Sequence, residues 1–396
     1  MKLFGMLKSY IEIPPSATLR MNTLALAKKQ RGERVYNLSA GEPFLPTDSG
    51  VIEAACRAMR AGQTHYPPVL GLPELRRAAA EWMNSTYATA YAPDEVIATC
   101  GGKFGLYALC RALLGPGDEA LIIAPYWVSY PSLIQLAGAS AVTVATAPER
   151  GWKASRQDLE QAITPRTRVI IFNNAANPTG VVYHREEIGA LLECAAAHDL
   201  AVVSDEVYSG LVYDGRIFVS AGSFPEHHGR VFVVQSVSKH FAMTGWRVGF
   251  VLGDKGIIES LGVLQSQSTT GTASISQWAA TAALAMAPAI MSEVSQKMSE
   301  RRDALHSALQ STFGGFVAKP ASGLYTLAAL ADLGVKDTAS TAFCERLLEQ
   351  ANIALVPGAP FGQEGYVRFS FGEDSAELCA AVRALGEYLK KTRLLV

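Results

Sequence analysis

With 396 residues, 49% hydrophobic and 18% charged, the chain can bury one large core and a smaller one, so two domains are expected. Thirty-five basic residues against 36 acidic ones leave a formal net charge of −1, which excludes a strong field for nucleic acid or an anionic membrane and favours small-molecule chemistry. The six cysteines include no Cys-x-x-Cys pair and are read as reduced and structural.

In chain order, the apolar run of Met1–Tyr10 is cut by Lys8 and followed by Glu12, so it lacks the core of a signal peptide and a cytoplasmic location is expected. Pro14-Pro15-Ser16-Ala17-Thr18 reads as an extended arm entering a helix that Ser16 or Thr18 could cap. A short strand from Tyr36 ends in the turn Gly41-Glu42-Pro43. Tyr66-Pro-Pro-Val-Leu-Gly71 is a turn followed by a helix with Pro73 near its start.

From Glu95 the pattern alternates: strand Val96–Cys100, helix Lys103–Leu114, then strands Ala120–Ile123, Ala141–Val144, Val169–Phe172, Ala201–Val203 and Val231–Val234. That alternation predicts an α/β domain with a mostly parallel sheet covered by helices, whose ligands lie at the carboxyl ends of the strands. Gly101-Gly102-Lys103 joins a strand to a helix, so its backbone N–H groups can meet a phosphate. Gly115-Pro-Gly117-Asp-Glu-Ala120 matches the dinucleotide fingerprint only formally, because it follows a helix and precedes a strand; it is read as a helix stop. The uncharged stretches Ala120–Pro148 and Ser260–Ser292 are long enough to suggest membrane spans, yet Pro125, Pro131 and many Ser, Thr and Gln residues assign them to buried core. Asp205 ends an apolar strand, and a buried aspartate calls for a cationic partner.

Lys239 sits between two β-branched apolar runs in Val231-Phe-Val-Val-Gln-Ser236-Val-Ser238-Lys239-His-Phe-Ala-Met-Thr-Gly-Trp-Arg247-Val-Gly-Phe250. A lysine in a dry pocket beside other cations can deprotonate near neutral pH and form a Schiff base with a carbonyl. Ser236, Ser238 and Arg247 are the donors a phosphate needs. Ser236-x-x-Lys239 also fits a serine β-lactamase motif, but the companion Ser-Asp-Asn and Lys-Thr-Gly are missing from the chain, which removes that reading. Toward the C-terminus a long helix is expected from about Pro288 to Leu309, followed by strands at Lys319–Leu327, Ile353–Val356 and Tyr366–Phe371.

The string Ser-x-Ser-Lys followed by Phe-Ala-Met-Thr-Gly-Trp-Arg-Val-Gly closely resembles the cofactor-lysine segment of fold-type I aminotransferases dependent on pyridoxal 5′-phosphate (PLP), class I/II, and is most similar to the bacterial aspartate aminotransferase branch. Asn177-Pro178-Thr179-Gly180 and Ser204-Asp205-Glu206-Val207-Tyr208 also resemble that family. Ala176 stands where relatives often carry asparagine, so only Asn177 is carried over. The resemblance implies a large PLP-binding domain over 49–298, a smaller α+β domain over 299–396, and an N-terminal arm over 1–48 shared with the smaller domain. It implies Lys239, Asp205 and Tyr208 as catalytic residues. For the cofactor it implies Gly102, Lys103, Trp127, Asn177, Ser236, Ser238 and Arg247, with Asp205 holding the protonated pyridine nitrogen and Trp127 stacking on the ring. Tyr66 would cross a homodimer interface to the partner's phosphate.

For the substrate, the resemblance implies Gly41, Trp127, Asn177 and Arg368, the last as the fork for the α-carboxylate. No arginine lies between Arg247 and Arg301 to hold a distal carboxylate, a role the bacterial branch gives to the lysine that Lys103 resembles, with Ser16 and Thr18 beside it. Aspartate or glutamate is therefore the expected amino donor, with prephenate, aromatic or other neutral substrates as alternatives. PLP lyases and decarboxylases share the scaffold and remain a second reaction class. A PLP-binding regulator would need a partner domain that the sequence before Gly41 does not suggest.

Overall fold

The structure, a computed structural model, describes residues 13, 15–315, 317–336 and 338–392. Its strands are β1 (Tyr36–Asn37), β2 (Val96–Thr99), β3 (Glu119–Ile123), β4 (Ser140–Val144), β5 (Thr167–Asn173), β6 (Ala201–Asp205), β7 (Val231–Ser236), β8 (Gly249–Leu252), β9 (Tyr325–Ala329), β10 (Ile353–Ala354), β11 (Val356–Pro357) and β12 (Tyr366–Ser370). Seven of them form one sheet in the order β2-β8-β7-β6-β5-β3-β4. Strands β3 to β7 pair in parallel, while β8 runs antiparallel to both β2 and β7. This is the α/β class expected from the alternation.

Strand side chains alternate between two faces, and both faces are covered. Ile97, Ile122, Ile171, Val203, Val234 and Val251 pack with Leu106, Leu109, Ile134 and Leu261 of helices Gly102–Leu113, Tyr130–Leu136 and Lys255–Ser266. Their neighbours Ala98, Leu121, Ile170, Val202, Val233 and Phe250 face the opposite core with helices Pro73–Tyr87, Arg185–Ala197 and Ser274–Ala285. Burial on both faces explains why these strands read as continuous apolar runs.

The C-terminal third builds an antiparallel sheet in the order β11-β12-β9 and a parallel β1–β10 pair, with Tyr36 opposite Ile353. The long helix runs Ala287–Phe313, with Pro288 in its first turn and Gly314 in the left-handed conformation after its end, as helix-stop chemistry favours.

Three local expectations are corrected. Residues 319–324 are not a strand: Pro320 supplies no N–H, Gly323 has φ +76°, Ser322 makes only an isolated antiparallel bridge to Val212, and the ladder with β12 begins at Tyr325. The run Ile353–Val356 is two strands that break at Leu355, one pairing with β1 and the other with β12. At the N-terminus Ser16 occupies the cap position of helix Ala17–Gln30 without a side-chain cap, and Thr18 lies inside the helix with its hydroxyl buried and unpaired. Residues 1–12 and Pro14, with the targeting reading and part of the arm, lie outside the described residues. No helix among the described residues is long and apolar enough to cross a membrane.

Candidate active site

A cavity of about 240 Å³ lies beyond the carboxyl ends of β5, β6 and β7, where an open α/β sheet places its ligands. Among the described residues, four cationic side chains line it, Lys103, Lys239, Arg247 and Arg368, against the single carboxylate of Asp205.

One end is built from backbone and hydroxyls. β7 delivers Ser236, whose Oγ accepts from the Ser238 N–H at 3.0 Å and lies 2.7 Å from Ser238 Oγ. Gly101 has φ +80°, and a Cβ there would lie 2.5 Å from Arg247 Nη2; only glycine lets the guanidinium reach the N-terminus of helix Gly102–Leu113. A Cβ on Gly249 would lie 2.4 Å from Gly102 N, so that glycine lets β8 run against the same helix end. Free helix N–H groups, two hydroxyls and a guanidinium form an anion cradle.

At the cavity floor Asp205 is 4% exposed. Burial pushes its carboxyl up to about 6, opposed by hydrogen bonds from Tyr130 and the Val207 N–H and by the charge of Lys239. The Tyr130 hydroxyl donates to Asp205 Oδ2 at 2.7 Å. Asn173 fixes the adjoining loop: its amide donates to Asp205 O at 2.9 Å and its Oδ1 accepts from Asn177 N at 2.8 Å. Lys239, half-buried, donates to Gly41 O.

Arg368 on β12 is 1% exposed. It donates to Asn177 Oδ1 at 3.2 Å and Ser39 O at 3.0 Å, and its guanidinium lies 3.9 Å from the Tyr325 ring centroid. Its Nε is buried without a partner, and no described carboxylate forms an ion pair with it. A buried cation without an anion is costly; a carboxylate entering the cavity would supply the missing charge. Tyr208 and Tyr325 share a hydrogen bond of 3.1 Å between hydroxyls, and burial raises the Tyr208 hydroxyl well above its ordinary value. Gly41 is required by Tyr325 itself, whose hydroxyl would lie 2.5 Å from a Cβ at that position.

Lys103 Nζ sits 4.8 Å from the centroid of Trp127. Burial, then Arg247, then Lys239 lower its proton affinity, although the residue as a whole stays exposed. Ser16 and Thr18 line the same cavity.

The structure thus gathers every predicted site residue except Tyr66, which is 91% exposed and lies in a separate groove with His65 and residues 269–275. Sequence reading missed Tyr130, Asn173 and Tyr325. Tyr130 carries no local motif and Tyr325 lay inside the expected strand Lys319–Leu327, while Asn173 directly follows the expected strand Val169–Phe172.

Residues 33–385 match the family model for class I and II aminotransferases, and the chain belongs to that family, whose members are PLP-dependent transaminases. It is 38% identical to the aspartate/prephenate aminotransferase of Thermus thermophilus over 97% of this chain and 99% of that one. It is 37% identical to the aspartate aminotransferase of Geobacillus stearothermophilus over 97% and 98%. A solved structure of Thermus thermophilus aspartate aminotransferase with maleate superposes with a TM-score of 0.90 at 38% identity, covering 95% of this chain and 97% of that one. The donors present fit PLP: an anion cradle for the phosphate, a buried carboxylate for the ring nitrogen, an aromatic face and an amine.

Proposed function

We propose that this aminotransferase takes its amino group from aspartate or glutamate and passes it to a 2-oxo acid in two half-reactions, with prephenate as a second acceptor. The carrying observation is the excess of cations around one cavity: Arg247 at the anion cradle, Arg368 and Lys103 placed to receive two more anionic groups, and Lys239 between them. Relatives named for aspartate and prephenate, and the maleate bound by one of them, support an acidic substrate.

When bound, PLP supplies an aldehyde for amines and a ring that accepts electrons. Gly102, Ser236, Ser238 and Arg247 would hold its phosphate, Trp127 would offer an aromatic face to its ring and Asn177 would donate to its phenolic oxygen. Asp205, ionised and steadied by Tyr130, would keep a proton on the ring nitrogen. Lys239 is the amine that would hold the aldehyde, and its Nζ is the group that would move the proton at the substrate Cα. Arg368 receives the α-carboxylate in its fork, beside the backbone of Gly41, and Lys103 receives the distal carboxylate with Ser16 and Thr18. Tyr208, hydrogen-bonded to Tyr325, borders the reacting atoms.

The exposure of Tyr66 supports a homodimer in which its hydroxyl serves the partner's phosphate. Residues 49–298 form the cofactor domain in this reading. The β1–β10 pairing supports grouping 1–48 with 299–396. A cytoplasmic location accompanies this metabolic role.

The test is a half-reaction screen of single amino acids. Aspartate and glutamate should convert the bound cofactor to its amine form fastest. Release of product without net conversion of the cofactor would make the enzyme a lyase and overturn the reading.

A further inference from the structure

Away from the cavity, helix Arg156–Ala162 packs against helix Arg185–Ala197. On the second helix Cys194 precedes His198, its C-terminal cap residue, by four positions, so both project from one face a turn apart. Glu160 comes from the first helix. One ligating atom from each of Cys194, His198 and Glu160 lies within 4.8 Å of the others. Cys194 is buried, and the other two open to solvent.

From this trio we propose a second, previously unassigned site that binds a borderline-soft divalent cation of the zinc class through Cys194 Sγ, a His198 ring nitrogen and a Glu160 oxygen, with water as the fourth ligand. Tetrahedral zinc keeps its ligand atoms about 3.4–3.8 Å apart, so side-chain rotations of roughly one ångström close the site. Mixed thiolate, imidazole and carboxylate ligation suits zinc or cobalt and disfavours magnesium and calcium, which take oxygen ligands.

The surroundings carry the charge the ion needs. Arg156 Nε donates to Glu160 Oε1 at 2.7 Å, which orients the carboxylate as an outer partner does and leaves Oε2 to turn toward the ion. Arg156 also reaches toward Glu193, 3.6 Å away, which spreads its charge. The ion sits at the C-terminal end of helix Arg185–Ala197, the end whose dipole favours a cation. Burial and the Glu160 carboxylate push the Cys194 thiol up from its ordinary value, opposed by Arg156; coordination replaces the thiol proton, which leaves to solvent. None of the three residues lines the catalytic cavity, so the site is separate from aminotransfer.

The test uses the chelator-treated holoenzyme titrated with Co²⁺, read in the red d–d bands, clear of the cofactor. One equivalent per chain should develop intense tetrahedral bands with a thiolate charge-transfer shoulder, and Zn²⁺ should abolish them. His198→Ala and Glu160→Gln, both at exposed positions, should each weaken binding at least tenfold and leave the aspartate half-reaction unchanged. Cys194→Ser should remove the charge-transfer feature. A missing one-equivalent tetrahedral spectrum, or one that survives His198→Ala and Glu160→Gln undiminished, would overturn the proposal, and the two exposed variants decide it even if Cys194→Ser fails to fold.

Discussion

Tyr130→Phe isolates the hydrogen bond that tunes Asp205. The hydroxyl donates at 2.7 Å to a carboxylate that burial has pushed up to about 6. A hydrogen bond to a charged group contributes about 1.5–3 kcal/mol, and at 1.36 kcal/mol per unit its removal should carry Asp205 up by roughly one to two further units. In the cofactor-free variant, Asp205 should therefore ionise near pH 7–8. The sign follows from proton counting. The native carboxyl binds its proton more tightly than the unfolded one, whose ordinary value is 3.8, so stability contributed by this group falls as pH rises from about 4 to 6, and in the variant continues to fall to about 8. Below pH 6 both proteins hold a protonated Asp205 and differ little. The gap should open between pH 6 and 8 and reach about 1.5–3 kcal/mol above that. Glu206, pushed up to about 7 by burial, titrates in the same window in both proteins; the charge of Asp205 also raises it, so its contribution cancels only in part. Urea unfolding of the two cofactor-free proteins at pH 5, 7 and 8.5 reads this directly. A gap that is constant with pH would refute the coupling between Tyr130 and Asp205.

Further outcomes follow from the cation arrangement. Lys103→Ala should reduce kcat/KM about tenfold to a hundredfold for acidic donors, the equivalent of about 1.5–3 kcal/mol, and change neutral donors little; equal losses would assign Lys103 to the cradle or the loop. Arg368→Lys, which loses the planar fork now bonded to Asn177 and Ser39, should lower kcat/KM for every amino donor by roughly tenfold or more, and an effect confined to acidic donors would reverse its assignment. Mixing Tyr66→Phe with Lys239→Ala under subunit exchange should restore part of the activity, because one site of the mixed dimer then carries neither change. No recovery after proven exchange argues against a shared site.

The sheet was legible because strands buried on both faces are written as apolar runs, and most site residues were legible because they sit where those runs end: Ser236, Asp205, Gly102. Lys239 stood out for the company it keeps in a contiguous string. What escaped depends on contacts between distant parts of the chain. Tyr130 meets a carboxylate 75 positions away and Tyr325 meets a tyrosine 117 positions away; both lie in apolar surroundings that also describe ordinary core. Residues 319–324 looked like strand from hydropathy, but a proline and a left-handed glycine limit the segment to an isolated bridge between Ser322 and Val212. Lys103 resembled the distal-carboxylate lysine of the bacterial branch, but its place beside Trp127, with Arg247 and Lys239 lowering its proton affinity, is set only by the fold.

The central claim is that Lys239 is the amine that holds the cofactor and moves the proton. Borohydride reduction of the purified enzyme, followed by peptide mass mapping, tests it most directly. The account predicts one reduced pyridoxyl adduct per chain, located on Lys239, and a Lys239→Ala protein that binds the cofactor without being fixed to it and fails at multiple turnover. An adduct on Lys103 or another lysine, or parental turnover by Lys239→Ala, would contradict it.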